Sequence, residues 1–113
     1  MDIDKRVAEW LGFIVTKDAL EHNQYEWFCD NKAYGMWKEF IDWLFSDEGS
    51  MAILRAFHKA GYRVVHETIL TSTFVHTERY VGNAHYEQGV KARAGSLNAA
   101  IREAARRYVK EKP

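Results

Sequence analysis

The stretch SDEGSMAILRAFHKAG, residues 46–61, decides how the rest of the chain is organised. It predicts one amphipathic helix with both of its ends encoded. Ser46 can cap the first turn by accepting a hydrogen bond from a backbone N–H, and Asp47 and Glu48 put negative charge at the positive end of the helix dipole. Gly61 suits a left-handed exit from the last turn. The buried face consists of apolar residues at helical spacing: Ile53, Leu54, Phe57 and Ala60.

Both flanks of this helix are rich in β-prone segments, and a further helix is predicted near each end of the chain. Residues 2–12 predict a short first helix that stops at Gly12. Ser96 caps a last helix with an alanine-rich stripe that can lie close on a sheet. The predicted strands are residues 25–29, 33–37, 62–67, 73–80 and 85–94, with turns at Asp30–Asn31–Lys32 and at residues 81–84.

The order of these elements predicts an α+β fold, α-β-β-α-β-β-β-α. We expect a single, mostly antiparallel β-sheet with helices packed on both faces, an α/β/α sandwich. The 113 residues suit a single domain spanning residues 1–113, and the only proline is the last residue, so no linker is marked.

The aromatic segment WKEFIDWLF, residues 37–45, has two interpretations. It is either a short helix that covers the sheet as part of the core, or an exposed apolar strip that binds a partner or ligand. Under the second interpretation the exposed aromatic residues include Trp37, Phe40 and Trp43.

A second candidate surface lies on the predicted strand at residues 85–94. Strict alternation places Tyr86 on the same face as Val90, Ala92 and Ala94. The other face would then carry polar side chains that suit an anionic ligand or, equally, an ordinary solvated strand. The candidate residues of this surface, with two from the neighbouring hairpin, are His85, Lys91, Arg93, Arg79 and Asn83, beside Glu87.

Bulk composition excludes several classes of protein. Lysine plus arginine equals aspartate plus glutamate at 16 each, and a chain without net positive charge is a poor non-specific nucleic-acid binder. No apolar run approaches the roughly 20 residues of a membrane span, and the N-terminus lacks the apolar core of a signal peptide. Cys29 is the only cysteine, which fits a reducing compartment. We expect a cytoplasmic protein without membrane association.

The arrangement VAEWLGF, FSDEGSMAILRAF and SLNAAIREAARRY resembles the phage ABA sandwich domain family of small phage and prophage proteins. The resemblance implies a sheet between two helical layers and the cytoplasm of an infected host, but no established activity. Where the family usually has a proline before the phenylalanine–serine pair, this chain has Leu44. The matching positions are Val7, Ala8, Leu11, Gly12, Phe45, Ser46, Asp47, Ala52, Ala99, Ala100, Ile101, Ala104 and Ala105.

Motifs of catalysis and cofactor binding are absent from the sequence. It contains no glycine-rich phosphate loop and no GxSxG elbow. Cys29 has no neighbouring base that would make it a nucleophile, and the strand histidines His66, His76 and His85 lack metal-ligand spacing. We therefore expect no enzyme, no catalytic residue, no cofactor and no metal.

Two hypotheses of function rank ahead of nucleic-acid binding through the arginine-bearing last helix, which the zero net charge disfavours. The first is a non-enzymatic accessory protein that binds a protein partner or itself, which the aromatic excess and the near-neutral charge favour. The alternative is a protein that sequesters a small nucleotide signal of bacterial defence. In that case aromatic rings stack on the base while Arg79, Arg93 and Asn83 hold the phosphate and base edges. The rings available for stacking are Tyr34, Trp37, Tyr80 and Tyr86.

Overall fold

The computed structural model describes residues 3–15, 26–29 and 32–111, with side chains described for residues 3–13 and 40–111. The elements in chain order are α1 (Ile3–Trp10), β1 (Ile14–Val15), β2 (Glu26–Cys29), β3 (Lys32–Met36), α2 (Trp37–Leu44), α3 (Asp47–Lys59), β4 (Tyr62–Ile69), β5 (Ser72–Gly82), β6 (His85–Ala94) and α4 (Leu97–Glu111). The fold is α+β, as predicted. Asp30 and Asn31 of the predicted turn lie outside the described residues.

The described strands form two antiparallel sheets of three strands each, in the orders β1-β2-β3 and β4-β5-β6. The predicted single sheet is therefore wrong for these residues. Each sheet pairs strands that follow one another in sequence, which is the commonest arrangement, and two helices separate β3 from β4 in the chain. The short strand β1 comes before the first of the strands predicted above.

The predicted central helix is confirmed as α3, including both ends. Ser46 accepts a hydrogen bond from the backbone N–H of Gly49 at 3.2 Å, and Gly61 has a φ of +94° just beyond the C-cap. Ile53 and Phe57 are fully buried, and Leu54 packs against the core. Ala60, expected on the same face, is exposed because it forms the C-cap.

The core lies between the four helices and one face of the second sheet. Helices α1 and α3 both pack on α4, while α3 and α4 cover the sheet face that carries Val75, Thr77 and Val90. An aromatic cluster closes one end of the core, with the Phe57 and Tyr108 ring centroids 5.2 Å apart and the Trp10 and Phe57 centroids 5.0 Å apart. Such edge-to-face pairs add to the stabilisation from buried area.

The opposite face of the second sheet is exposed among the described residues, so the arrangement of helices on both of its faces is not observed. Phe74, Lys91 and Arg93 on this face are all exposed, whereas Val75 and Ala92, their neighbours in sequence, are buried on the helix side. Among the described residues, helices thus cover the second sheet on one side only. Antiparallel sheets tolerate this arrangement because one face can be solvated.

Residues 37–45 belong mostly to a helix that joins the core. Phe40 and Leu44 of α2 are fully buried, and the ring of Trp43 lies edge-on to that of Phe13 with their centroids 5.4 Å apart. The core interpretation of this segment is therefore the one observed. Among the aromatic side chains described in this segment, Phe45, just after the helix, is the exposed one, and the guanidinium of Arg102 lies over its ring at 3.7 Å.

Candidate binding surface

The exposed face of the second sheet is the main candidate surface, and we call it the open face. The pairing of the strands brings its side chains into rows across β4, β5 and β6. The face combines aromatic rings with charges of both signs. Its residues are Arg63, Val65, Glu67, Phe74, His76, Glu78, Tyr80, Tyr86, Gln88, Lys91 and Arg93.

A β-bulge in β6 decides which side chains reach the open face. His76 is paired with Lys91, but two residues further along β5, Glu78 is paired with Gln88, so β6 has one extra residue there. Val90 donates its N–H to the buried hydroxyl of Thr77 at 3.0 Å, which fixes the bulge. The alternation of side chains therefore reverses between Gln88 and Lys91.

The bulge corrects the predicted faces of β6. Tyr86 is paired with Tyr80 on the open face, whereas Val90 is buried on the helix side, so the two do not share a face. Glu87 lies beside Arg79, with 3.8 Å between the carboxylate oxygen and guanidinium nitrogen, rather than beside Lys91. The bulge residue Gly89 is the signal in the sequence that identifies this reversal.

An ion-paired cluster occupies one end of the open face. Arg63 donates from Nε to Glu78 at 2.6 Å, and His76 Nε2 lies 2.9 Å from the other oxygen of the same carboxylate. The hydrogen bond with His76 has the largest effect and that with Arg63 the next largest, and together they hold the pKa of Glu78 below its usual value. The guanidinium of Arg63 also lies over the ring of Tyr86, 3.7 Å from its centroid.

Beside this cluster lies a groove of about 370 Å³, which Tyr80 and Tyr86 line together with Arg63 and Tyr62. The two tyrosine rings have centroids 5.4 Å apart. The groove is of a size that holds a small ligand. It was missed from the sequence because Arg63 and Tyr86 become neighbours only through β5, which lies between them.

The other predicted site residues are dispersed. Arg79 lies on the helix side, where its guanidinium is 5.7 Å from the ring of Tyr62. Asn83 has a φ of 53° in the β5–β6 turn, and His85 begins β6 as an exposed residue. Lys91 and Arg93 remain on the open face, near His76 and Phe74 rather than near the tyrosine groove.

The aromatic candidates of α2 are not exposed as a strip. Phe40 has 0% of its surface exposed, so its assignment to a binding surface is corrected to the core. Trp43 is half-buried against the core. Trp37 is the first residue of α2, and its side chain lies outside the described part.

A basic groove of about 840 Å³ lies between α1 and α4 and includes Arg106 and Arg107. Its cations are largely engaged within the chain. Arg106 Nε lies 3.3 Å from Asp4, and Arg106 Nη1 lies 3.4 Å from Glu103. Arg107 donates to the backbone carbonyl of Lys91 at 2.7 Å. These contacts tie α4 to α1 and to β6.

In the part of the chain that the structure describes, no group of three or more histidine, cysteine, aspartate or glutamate side chains is placed to hold a metal ion. Within residues 3–15, 26–29 and 32–111, no helix has the length and apolar character needed to cross a membrane.

The edges of the second sheet differ in how they are covered. On strand β6, Arg107 donates a hydrogen bond to the carbonyl of Lys91. The cationic residues Lys91 and Arg93 flank Ala92 in the same strand. Strand β4 pairs only with β5 among the described strands, which leaves its other edge without a strand neighbour.

Comparison with known proteins adds no relative: the chain matches no protein-family model, no curated protein and no solved structure.

Proposed function

We propose that this chain is a small accessory protein of phage or prophage origin. It acts in the host cytoplasm without catalysis, by binding a protein partner. This partner is a second copy of the chain. The resemblance of its helix motifs to the phage ABA sandwich domain supports the origin. The observation that carries the binding function is the edge of β4, eight residues long and without a neighbouring strand.

An unpaired edge of this length favours association. Its outward N–H and C=O groups form a row that another strand can complete with main-chain hydrogen bonds. Natural sheets usually protect such an edge with a proline, a bulge or a cluster of lysines. β4 has no proline and no lysine, and its pairing with β5 is regular from Tyr62 to Ile69.

Exposed apolar side chains at the end of the β4–β5 hairpin also favour association. Leu70 is 94% exposed in the β4–β5 turn, and Ile69 and Phe74 beside it are also exposed. Apolar groups clustered on a surface gain free energy when a partner removes them from water. The zero net charge of the chain means that two copies do not repel each other strongly.

Sedimentation velocity over a wide range of concentrations tests the proposal. We expect the sedimentation coefficient to rise with concentration from the monomer value to that of a dimer, because the partner is a copy of the chain. A coefficient that stays at the monomer value at every concentration overturns self-association.

The tyrosine groove favours a second candidate function, the binding of a small nucleotide. Arg63 and the rings of Tyr80 and Tyr86 provide a cation and stacking surfaces within one groove. Glu78 already neutralises part of the charge of Arg63, which weakens its attraction for phosphate. This ion pair is the reason to rank the nucleotide function second.

Isothermal titration calorimetry with a panel of mononucleotides and cyclic oligonucleotides tests this second candidate. If it is correct, at least one nucleotide binds, and Tyr86→Ala abolishes the heat of binding. Phe74→Ala is the matched control, because Phe74 is an exposed ring of the same face outside the groove. Absence of heat with every nucleotide removes the candidate.

A further inference from the structure

We infer that two copies of the chain join their β4 strands edge to edge in antiparallel orientation, about a two-fold axis through Val65. The two three-stranded sheets then become one continuous sheet with a shared open face. This inference rests on the proposed function, since it specifies the surface and the register through which one copy binds another.

Of the two outer edges of the second sheet, β4 is the one suited to self-pairing. Arg107 donates to the carbonyl of Lys91 at 2.7 Å, so a strand added along β6 would have to displace this contact. On β6 the open-face side chains Lys91 and Arg93 are both cationic, and self-pairing about Ala92 would bring them opposite each other. Like charges directly opposite in a sheet are destabilising.

Symmetry limits the registers that β4 can adopt. A two-fold axis perpendicular to a sheet keeps the same face of both copies on the same side. Residues opposite each other in an antiparallel pair point to the same face, and side chains alternate along a strand. The numbers of two paired residues must therefore differ by an even number. One residue of the strand then pairs with its own copy, and the axis lies midway between these two copies; we name each axis by that residue.

The axis through Val65 makes the open-face charges of β4 complementary. It places Arg63 of each copy opposite Glu67 of the other, so that two ion pairs form by symmetry. The two copies of Val65 meet between them and shield these pairs from water on one side. All three residues belong to the open face, because their partners on β5 are Glu78, His76 and Phe74.

The neighbouring axes lose this complementarity. An axis through Val64 sets Arg63 opposite Val65 of the second copy, and one through His66 sets Glu67 opposite Val65. Axes through Arg63 or Glu67 bring two identical charges face to face. Charge complementarity therefore selects Val65 from the five central positions of the strand.

Glu67 is exposed for these contacts, whereas Arg63 must change its side-chain conformation to make them. Glu67 is exposed and forms no ion pair with any residue in the described part of the chain. Arg63 directs Nε and Nη2 to Glu78 and lies over the ring of Tyr86 at 3.7 Å, so its guanidinium points across β5 and not toward the outer edge of β4. Pairing with Glu67 of the second copy therefore exchanges this ion pair within the chain for one across the β4 edge, while His76 stays at Glu78.

Charge reversal on β4, followed by multi-angle light scattering, tests this register. Arg63→Glu faces Glu67 of its partner, and Glu67→Arg faces Arg63, so each variant alone should dimerise on the order of tenfold more weakly or worse. Mixing the two variants restores both ion pairs, and the mixture should form a heterodimer. The double variant Arg63→Glu/Glu67→Arg should form a homodimer again.

Arg79→Glu and Glu87→Arg are the matched controls. They reverse an exposed ion pair of the same sheet away from the β4 edge and should leave dimerisation unchanged. Circular dichroism confirms that each variant is folded. This check matters for Arg63→Glu, which places two carboxylates together at Glu78.

The outcomes separate the register from the proposed function. If the folded single variants dimerise as strongly as the wild type, or if they fail to associate when mixed, the register is overturned while self-association stands. If the wild type is monomeric at every concentration, both are overturned. The inference requires single variants that dimerise much more weakly than the wild type and that form a dimer when they are mixed.

Discussion

Gly49 lies where α2 meets α3, and no side chain fits there. A Cβ atom at this position would be 2.2 Å from the carbonyl oxygen of Trp43 and 2.7 Å from the Cα of Leu44, both of which are backbone atoms. Backbone cannot move aside as the end of a flexible side chain can. The close packing of these two helices therefore depends on glycine at this position.

Gly49→Ala should destabilise the protein even though alanine is the better helix former. The gain in helix propensity is about 1 kcal/mol, while overpacking costs about 3 kcal/mol, so the free energy of unfolding should fall by about 2 kcal/mol. Gly95→Ala is the control, because nothing lies within 4 Å of its Cβ position. Urea denaturation measures both, and equal stabilities would contradict the packing argument.

Glu78 links stability to pH. Its hydrogen bonds to His76 and Arg63 hold its pKa below the usual value of 4.5. The unfolded chain therefore binds a proton at a higher pH than the folded chain does. The stability contributed by ionised Glu78 is fully present above pH 4.5 and is lost as the pH falls through the lowered pKa.

Glu78→Gln should remove this dependence. We expect the variant to be less stable than the wild type at neutral pH, and the difference should shrink as the pH falls below 4.5. Thermal denaturation at a series of pH values measures it. A difference that is constant or grows towards acid pH would show that Glu78 does not contribute in this way.

At the scale of elements, the bulge of β6 is the feature that alternation alone could not predict. One extra residue opposite Thr77 moves Tyr86 and Gln88 to the open face and Glu87 to the helix side. The bulge depends on a hydrogen bond between residues 13 positions apart, from the N–H of Val90 to the hydroxyl of Thr77. Local sequence patterns contain no information about such a partner.

Thr77→Val should remove the hydrogen bond that holds the bulge while keeping a side chain of similar shape. The side chain keeps its volume, but the buried N–H of Val90 loses its acceptor, which should cost about 2 kcal/mol of unfolding free energy. Thr73→Val is the matched control in the same strand. The Thr73 hydroxyl is also buried, but its hydrogen-bond partner is the hydroxyl of Thr68 at 3.3 Å. Because Thr68 is exposed, its hydroxyl can form a hydrogen bond with water instead. Chemical denaturation should show the larger loss at Thr77.

Helices were the more predictable elements because their signals are local. Ser46 and Gly61 mark the ends of α3, and both act as the sequence indicates. The β4–β5 turn was less clear, since the residue with positive φ is Leu70 rather than a glycine or asparagine. Leucine rarely adopts this conformation, so the turn has no typical sequence signal.

At the scale of the whole molecule, the α+β class and the β2–β3 and β5–β6 pairs followed from the sequence. The division into two sheets and the open face did not, because hydrophobic periodicity identifies a strand but not its neighbour or the layer above it. The candidate site shows the same limit. Arg93 and Lys91 were found by alternation, whereas Arg63 joined the surface only through pairing with β5.

The central claim is that copies of the chain meet at the β4 edge, and a disulfide placed on the proposed axis tests it most directly. Across an antiparallel pair, the two Cα atoms at position 65 would lie about 4.5–5.5 Å apart, within the range that a disulfide bridges. The two copies of Thr68, further from the axis, would be roughly 20 Å apart.

The measurement is oxidation of Val65→Cys in a Cys29→Ser background, with Thr68→Cys in the same background as the control. Non-reducing electrophoresis then reports cross-linked dimer. The account predicts rapid and nearly complete cross-linking at position 65 and little at position 68. Equal cross-linking at the two positions, or none at position 65, would contradict it.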